Sequence, residues 1–326
     1  MKFPFPFALI AAAGAALALS AQASASEAFP AKAVKVIVPW TAGQATDVAA
    51  RAVSERLGAQ FKQPFVVDNR AGAGGAVGSE AVAKSAPDGY TLLAGSTGSV
   101  TINPLLNKTS YSTRSFAPAG LIATVPYVLV TSEAFPARNA AELVALLKAH
   151  PGKYSFASSG NGSIGHLASE LFISKLGSKA AHIPYKGSGG ALIDVMAGRV
   201  DFMFDSVTSI LPHLKAGKVR AYGVSSHKKS SMLPEVPSLA EAASLPDYDL
   251  FAWIGLLAPA GTPEPVLTQL NREIQAVVAS AQIKERYLAL GIEAVDASSP
   301  ADMGRVIEAE KTRLEALIKA ANIKVE

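Results

Sequence analysis

Residues 154–172 read YSFASSGNGSIGHLASELF, which is a short apolar run, a loop of small polar residues and an amphipathic run in succession. The first four residues have the composition of a β-strand. After the loop, apolar residues recur at spacings of three and four, the period of a helix with one buried face; they are Ile164, Leu167, Ala168, Leu171 and Phe172. The stretch therefore predicts a strand, a loop and a helix, the repeating unit of an α/β fold.

The same alternation continues on both sides of this stretch. Loops rich in Gly, Ser and Thr follow predicted strands at 41–46, 96–99, 158–163, 185–189 and 205–209. In open parallel sheets, ligands gather outside the carboxyl ends of the strands, where such loops lead into helix N-termini. A helix N-terminus presents unpaired N–H groups and a partial positive charge, so the pattern favours a carboxylate or phosphate ligand. Any one loop, taken alone, is equally consistent with an ordinary turn.

The N-terminus has the features of an export signal. Lys2 is the only charged residue among the first 26, and Ala-x-Ala sites follow the apolar run 7–19. That run is shorter than the ~20 residues that a membrane-spanning helix needs. We therefore predict a signal peptide at 1–25 and a mature protein in the periplasm. An uncleaved membrane anchor is the alternative.

Composition excludes several functional classes. The chain has no cysteine, and hence no disulfide, thiolate or lipidated Cys. A net charge of +4 and the absence of any basic run longer than Lys228-Lys229 argue against nucleic-acid binding. No His, Asp and Glu group has metal-ligand spacing, so neither a metal nor a cofactor is predicted. The glycine-rich loop 69–75 does not have the spacing of a dinucleotide-binding turn, because Val77 occupies the position of its last glycine.

The order of the predicted elements indicates two lobes with a ligand cleft between them. Residues 126–249 form one α/β unit, inserted into a second unit made of 26–125 and 250–326. Such an insertion requires strands that cross between the lobes. We expect the sheets to be largely parallel, with a strand at 125–131 and a loop at 95–98. Two helices, beginning at Pro263 and Pro300, are expected to complete the chain.

Residues 161–165, NGSIG, raise the alternative of a serine hydrolase. They differ by one residue from the Gly-x-Ser-x-Gly nucleophile turn, and Ser163 precedes Asp205 and either His213 or His227 in the chain order of a catalytic triad. However, asparagine replaces the first glycine, and both histidines lie in segments expected to be solvated. A binding loop is therefore preferred, and a secreted hydrolase using Ser163 remains the alternative.

Several long motifs resemble those of the extracytoplasmic solute receptors of tripartite tricarboxylate transporters, also called the Bug family. They are VKVIVPWTAGQATDVAAR (34–51), VVDNRAGAGGAVGSEAVAKSAPDGYTLLAGSTGS (66–99), YSFASSGNGSIGHLASELF (154–172), HIPYKGSGGALIDVMAGRVDFMFD (182–205) and GLLAPAGTP (255–263). The resemblance implies a two-lobed periplasmic binding protein of type II that closes on a small carboxylate, and we expect it to be a monomer. The implied partner is a membrane permease or, alternatively, a sensor kinase.

In the family that this chain resembles, the ligand's carboxylates are bound largely by backbone N–H groups and ordered waters. The resemblance assigns to the site Trp40, Thr41, Ala42, Gly43, Gln44, Asp47, Ser96, Thr97, Ser158, Ser159, Asn161, Gly162, Ser163, Tyr185, Lys186, Gly187 and Asp205. His166 is added because it follows Ser163 by three residues, with a packing or capping role as its alternative. For Asp47 the alternative is a purely capping role at a helix N-terminus.

The chain departs from the pattern of that family at the first loop. The family usually has Pro-Gly-Gly where this chain has Ala42-Gly43-Gln44, and Asp205-Ser206 replaces a frequent Asp-Asn. Glutamine does not adopt positive φ as freely as glycine, and its amide is long enough to enter a pocket. We therefore hypothesise that Gln44 either contacts the ligand or narrows the range of ligands.

Overall fold

The computed structural model describes residues 29–227, 229, 230, 232–320 and 323, together with Met1. The predicted signal peptide, apart from Met1, lies outside these residues. Within the described part of the chain, nine strands join in one mixed sheet. None of its helices is long and apolar enough to cross a membrane.

The strands, in chain order, are β1 (Val34–Val38), β2 (Phe65–Asn69), β3 (Thr91–Ser96), β4 (Phe116–Ser132), β5 (Ser155–Ser158), β6 (Ala181–Pro184), β7 (Phe202–Ser206), β8 (Val219–Val224) and β9 (Phe251–Pro259). Their order across the sheet is β2-β1-β3-β9-β4-β7-β5-β6, with β8 also paired to β4. β1 is parallel to β2 and β3, and β5 is parallel to β6 and β7. Two parallel units are thus joined through the antiparallel strands β4 and β9.

The helices follow the strands closely. They are α1 (Ala45–Phe61), α2 (Ala76–Ala83), α3 (Asn103–Leu106), α4 (Ala140–Ala149), α5 (Ile164–Lys175), α6 (Ser188–Met196), α7 (Val207–Lys215), α8 (Leu239–Ala242), α9 (Glu264–Ala279), α10 (Ala281–Leu290) and α11 (Pro300–Ala320), with a π-helix at Thr97–Ile102. β1, β5, β6 and β7 each lead through a short loop, or directly, into a helix N-terminus. The predicted α/β fold with two lobes is confirmed.

Strand β4 belongs to both lobes. It pairs with β9 as far as Pro126 and with β7 and β8 from Tyr127 onward. A second crossing lies beside it, where the Ser225 hydroxyl accepts from the Tyr127 N–H at 3.1 Å and donates to the Leu250 carbonyl at 2.5 Å. The lobes are therefore connected by two adjacent extended segments, a geometry that permits hinge motion.

Four local expectations were wrong. The sheet is mixed, because the crossing strands run antiparallel to their neighbours. β4 begins at Phe116, nine residues before the predicted strand, and shifts of register accommodate Pro118 and Gly120. The segment after β3 is a π-helix rather than a simple loop. A third C-terminal helix, α10, begins at Ala281; the Ser280 hydroxyl caps it by accepting from the Ile283 N–H at 3.4 Å.

The predicted apolar stripe of α5, the helix that follows the loop 158–163, is confirmed. Its five residues, from Ile164 to Phe172, are all at most 3% exposed. Phe172 packs edge-on against Phe202 and Phe204 of β7, with ring centroids 6.5 and 5.8 Å apart. Burial of each such side chain contributes about 1.5–3 kcal/mol, so the helix and the loop that precedes it are firmly placed.

Candidate functional site

The first cleft loop is organised by the carboxylate of Asp47. Its Oδ2 accepts from the Gly43 N–H at 2.9 Å, and its Oδ1 accepts from Arg51 and Asn69, also at 2.9 Å. Gly43 has φ +85°, a conformation that favours glycine, and Gln44 directly precedes α1 with φ −73°. The Asp47 carboxylate is thus satisfied within its own lobe, which favours the capping alternative for this residue.

The loop 158–163 is held from behind by two histidines. The Ser158 hydroxyl is 2.7 Å from His182 Nε2, and the Gly162 N–H donates to His166 Nδ1 at 3.2 Å. The two imidazole rings stack with centroids 4.1 Å apart. Burial, reinforced by the charge of His166, lowers the pKa of His182 to about 3, so this imidazole is neutral near pH 7. These contacts orient the loop toward the facing lobe.

The loops of the two lobes touch each other. Gly74 lies so close to the facing loop that an added Cβ would be 1.8 Å from the carbonyl oxygen of Asn161. On the other side of the cleft, the Gln44 amide donates to the Ser188 hydroxyl at the first residue of α6, at 2.5 Å. This structure therefore represents the closed arrangement of the lobes.

A small cavity, here called the inner cavity, lies between the lobes; its volume of about 20 Å³ has room for about one water, and it shares lining residues with larger openings on either side. It is lined by Trp40, Gln44, Ala45, Thr46, Ser96, Val125, Tyr127, Ser159, Asp205, Ser206, Ala252 and Ile254. No Lys or Arg of the described residues is among them. Its polar groups are chiefly hydroxyls and the start of α1, and the Trp40 indole donates to the Ser96 hydroxyl at 3.1 Å. Such a lining suits a ligand that is bound without a cationic side chain.

Two larger openings flank the inner cavity. One has a volume of about 590 Å³ and is lined by residues that include 41–44 and 185–190. The other, of about 250 Å³, is lined by residues that include 71–75 and 159–161. Gln44 lines both the first opening and the inner cavity, whereas Trp40 lines the second opening and the inner cavity. The Gln44 side chain thus forms a wall between the inner cavity and the larger opening.

Asp205 is the ionisable carboxyl group of the inner cavity. Burial raises its pKa to about 6, against the opposing effects of the Ser188 hydroxyl and the Ser206 N–H. Tyr127 lines the same cavity, and burial together with the charge of Asp205 raises its pKa well above the usual range. Tyr127 is therefore a neutral hydroxyl at any physiological pH.

The predicted site residues fall into two groups. Those that line the inner cavity or its openings are Trp40, Thr41, Ala42, Gly43, Gln44, Ser96, Ser159, Asn161, Tyr185, Lys186, Gly187 and Asp205. The others lie behind these surfaces; they are Asp47, Thr97, Ser158, Gly162, Ser163 and His166. Among these, the Ser163 hydroxyl caps α5 by accepting from the His166 N–H at 3.2 Å.

Four polar residues near the cavity were not among the predicted site residues, namely Thr46, Tyr127, Ser188 and Ser206, although Ser206 had been noted as a departure from the family pattern. Three of them belong to loops that were expected at strand ends, so the sequence did indicate their positions near the site. Tyr127 carried none, because it lies in the middle of a strand outside any motif. Only the crossing of β4 between the lobes brings it to the cavity.

Two α/β lobes that are joined by crossing strands and close over a polar cavity define a periplasmic binding protein of type II. The sequence pattern of the tripartite tricarboxylate transporter family receptors matches residues 49–323. The chain therefore belongs to this family, and the resemblance noted in its motifs is confirmed.

Relatives and solved structures are similar over almost the whole chain. The UPF0065 protein in the tcbD-tcbE intergenic region of Pseudomonas sp. (strain P51) is 41% identical over 293 residues, 90% of this chain and 87% of the relative. Rpa4515 of R. palustris, solved with adipate, is 35% identical with a TM-score of 0.86, covering 91% of this chain and 99% of that chain. MatC from Rhodopseudomonas palustris, solved with bound malate, is 30% identical with a TM-score of 0.84, covering 89% and 100%.

Gln44→Gly is expected to shift selectivity toward longer ligands. The change removes the wall between the inner cavity and the opening of about 590 Å³. We expect the affinity for adipate to rise at least about fivefold relative to that for succinate, since added methylenes in a fitted pocket discriminate by such factors. Isothermal titration calorimetry of both ligands measures the ratio. Gln44→Leu keeps a wall but loses the bond to Ser188, and should leave the ratio unchanged; an unchanged ratio in Gln44→Gly would contradict the prediction.

Proposed function

We propose that this protein is a periplasmic receptor that captures a small organic carboxylate and presents it to the permease of a tripartite transporter. The observation that carries the proposal is the inner cavity, which lies between the lobes and is lined by hydroxyls, the Gln44 amide, a helix N-terminus and the single carboxyl of Asp205, without Lys or Arg among the described residues. Backbone N–H groups at such a terminus bind an anion well. The family description and the relatives solved with adipate and malate support a carboxylate ligand.

Capture is proposed to occur by closure of the lobes. The start of α1, at Ala45 and Thr46, and the start of α7, at Ser206, come from different lobes and face the same cavity. An anion that contacts both termini stabilises the closed form over the open form and shifts the population toward it. The proposed hinge lies at the domain boundaries 125/126 and 249/250, where β4 and the segment before β9 cross. The closed form is then the surface that a permease recognises.

The site residues are proposed to have two kinds of role. Residues that line the cavities contact the ligand directly or through water. Asp47, Ser158, Ser163 and His166 position the loops whose N–H groups do so. Export through cleavage of the predicted signal peptide and function as a monomer complete the proposal.

A thermal-shift screen of the mature protein tests this function. The protein is heated with succinate, malate, glutarate, adipate, citrate and monocarboxylates of matched length. A ligand at 100 times its dissociation constant adds about 2.7 kcal/mol to the free energy of unfolding, which raises the melting temperature by several degrees. Carboxylates should raise it, and the corresponding amides should not. A screen without any shift would reject the proposal.

The hydrolase alternative is tested by Ser163→Ala. Ser163 is 1% exposed, and its hydroxyl caps α5 by accepting from the His166 N–H. Loss of this hydroxyl should therefore weaken ligand binding modestly and destabilise the helix by about 1 kcal/mol. Neither the native protein nor the variant should hydrolyse p-nitrophenyl acetate. An esterase activity that disappears in Ser163→Ala would instead support the hydrolase.

A further inference from the structure

The Asp205 carboxylate is only half satisfied in the closed structure. Its Oδ1 accepts from the N–H of its neighbour Ser206 at 2.8 Å. Its Oδ2 is buried and has no hydrogen-bond partner among the described residues. The Ser188 hydroxyl, which accepts from Gln44, is close enough to affect the carboxyl but makes no hydrogen bond to Oδ2. An acceptor is thus aimed into the cavity that the proposed function assigns to the ligand.

An ionised carboxylate accepts hydrogen bonds and has no proton to donate. Leaving such an oxygen buried without a donor is costly, and placing it beside the carboxylate of a ligand adds repulsion between like charges. A hydroxyl or ammonium group on the ligand removes the first cost, and an ammonium group also offsets the second. Asp205 therefore distinguishes acids that carry a donor from those that do not.

We propose that the preferred ligand is a substituted carboxylate whose hydroxyl or ammonium group donates to Asp205 Oδ2. This inference rests on the proposed function and narrows its substrate class. The Gln44 amide supports it, because one end bonds to Ser188 while the other, Oε1, is also buried without a partner at the cavity wall. Two unpaired polar atoms from opposite lobes thus face the same small space.

The inference also predicts the direction of a pH effect. The groups around Asp205 are the Tyr127 hydroxyl on β4, the Ser188 hydroxyl on α6, the Gln44 amide and the Ser206 N–H, none of which is charged near neutral pH. As pH falls toward the Asp205 pKa of about 6, the carboxyl takes up a proton and the repulsion is removed. A ligand without a donor should therefore gain affinity relative to one with a donor as pH falls from 8 to 6.

Matched ligand sets test the inference by calorimetry at pH 8. The sets are succinate, malate and aspartate; glutarate, 2-hydroxyglutarate and glutamate; and propionate, lactate and alanine. Within the set that binds, we expect the hydroxy or the amino acid to bind roughly 10- to 100-fold more tightly than the unsubstituted acid. Comparison of the hydroxy acid with the amino acid shows whether a hydroxyl or an ammonium group is the preferred donor. The ratio of the affinities of the substituted and unsubstituted acids should be smaller at pH 6 than at pH 8.

Asp205→Ala supplies the decisive variant, and Ser206→Ala is its matched control. Removal of the carboxylate should reduce the preference to within about twofold, whereas Ser206→Ala removes an adjacent hydroxyl and should weaken all members of a set alike. An unsubstituted acid that binds the native protein as tightly as its substituted partners at pH 8 would overturn the inference while leaving the receptor function intact. Absence of binding by every carboxylate would reject the receptor function itself. Should Asp205→Ala not fold, the pH dependence of the native ratio still decides.

Discussion

Gly74→Ala is expected to lower the affinity for the ligand by at least about 100-fold while both lobes stay folded. A Cβ on Gly74 would lie 1.8 Å from the Asn161 carbonyl oxygen of the facing lobe, and a backbone atom cannot turn aside as a side chain can. The other close atom, the Asn103 amide nitrogen at 2.6 Å, belongs to a side chain of the same lobe that can shift, whereas the overlap with the Asn161 backbone is relieved by separation of the lobes, so the variant stays open. A loss of about 2.7 kcal/mol corresponds to this factor, and a contact so far inside van der Waals distance costs at least as much.

Gly177→Ala is the matched control for this variant. Gly74 has φ +62° and Gly177 has φ +63°, and an added Cβ at Gly177 meets nothing within 4 Å. Both substitutions therefore incur the same left-handed backbone strain, about 1–2 kcal/mol, and only one blocks closure. Small-angle scattering with saturating ligand should show a smaller radius of gyration for Gly177→Ala than for Gly74→Ala. Equal compaction and equal affinity in the two variants would refute the closed contact.

Asp205→Asn is expected to stabilise the ligand-free protein by about 3 kcal/mol at pH 8. Burial raises the pKa of Asp205 from 3.8 to about 6, so between these values the folded protein binds more protons than the unfolded chain. The free energy of unfolding of the native protein therefore falls as pH rises from about 4 to 6 and stays low above that range. The raised pKa corresponds to about 3 kcal/mol at 1.36 kcal/mol per unit, and asparagine does not incur this cost.

The difference between Asp205→Asn and the native protein should thus be largest at pH 8 and disappear near pH 4. Urea denaturation at pH 4, 6 and 8 measures it. Asp68→Asn is the control, because the Asp68 side chain is 38% exposed and its removal should change stability by less than about 0.5 kcal/mol. If Asp205→Asn and the native protein had the same free energy of unfolding at pH 8, the buried carboxylate would not be destabilising. The expected gain means that the native protein retains Asp205 at a cost in stability, as functional sites often do.

The local periodicity of the sequence predicted most of the strand-to-helix units. The segment from Ile164 to Phe172 illustrates the reason. Its apolar residues recur at spacings of three and four, so a helix buries all of them on one face. The first half of β4 escaped prediction because Pro118 and Gly120 interrupt its pattern. Their tolerance depends on register shifts against β9, which is a partner more than 130 residues away in sequence. Nonlocal pairing of this kind leaves no trace in a short window.

The loops of the candidate site could be predicted from the sequence, whereas the contacts that form between the two lobes could not. Ala42 and Gln44 stood out by their departure from a familiar motif, and Asp205 by its place at a strand end. The bond from Gln44 to Ser188 was not foreseeable, because the two residues are 144 positions apart in the sequence and meet only when the lobes close on each other. The placement of Tyr127 depends in the same way on the crossing of β4.

The indole of Trp40 gives the protein a built-in optical reporter of closure. Trp40 lines the inner cavity, donates to Ser96 and is 8% exposed in the closed form. The sequence contains one other tryptophan, Trp253, which is 1% exposed in the middle of β9. A change of emission on addition of ligand that is lost in Trp40→Phe therefore belongs to Trp40. Binding and release become visible in the unlabelled protein, on the millisecond timescale of a stopped-flow fluorimeter.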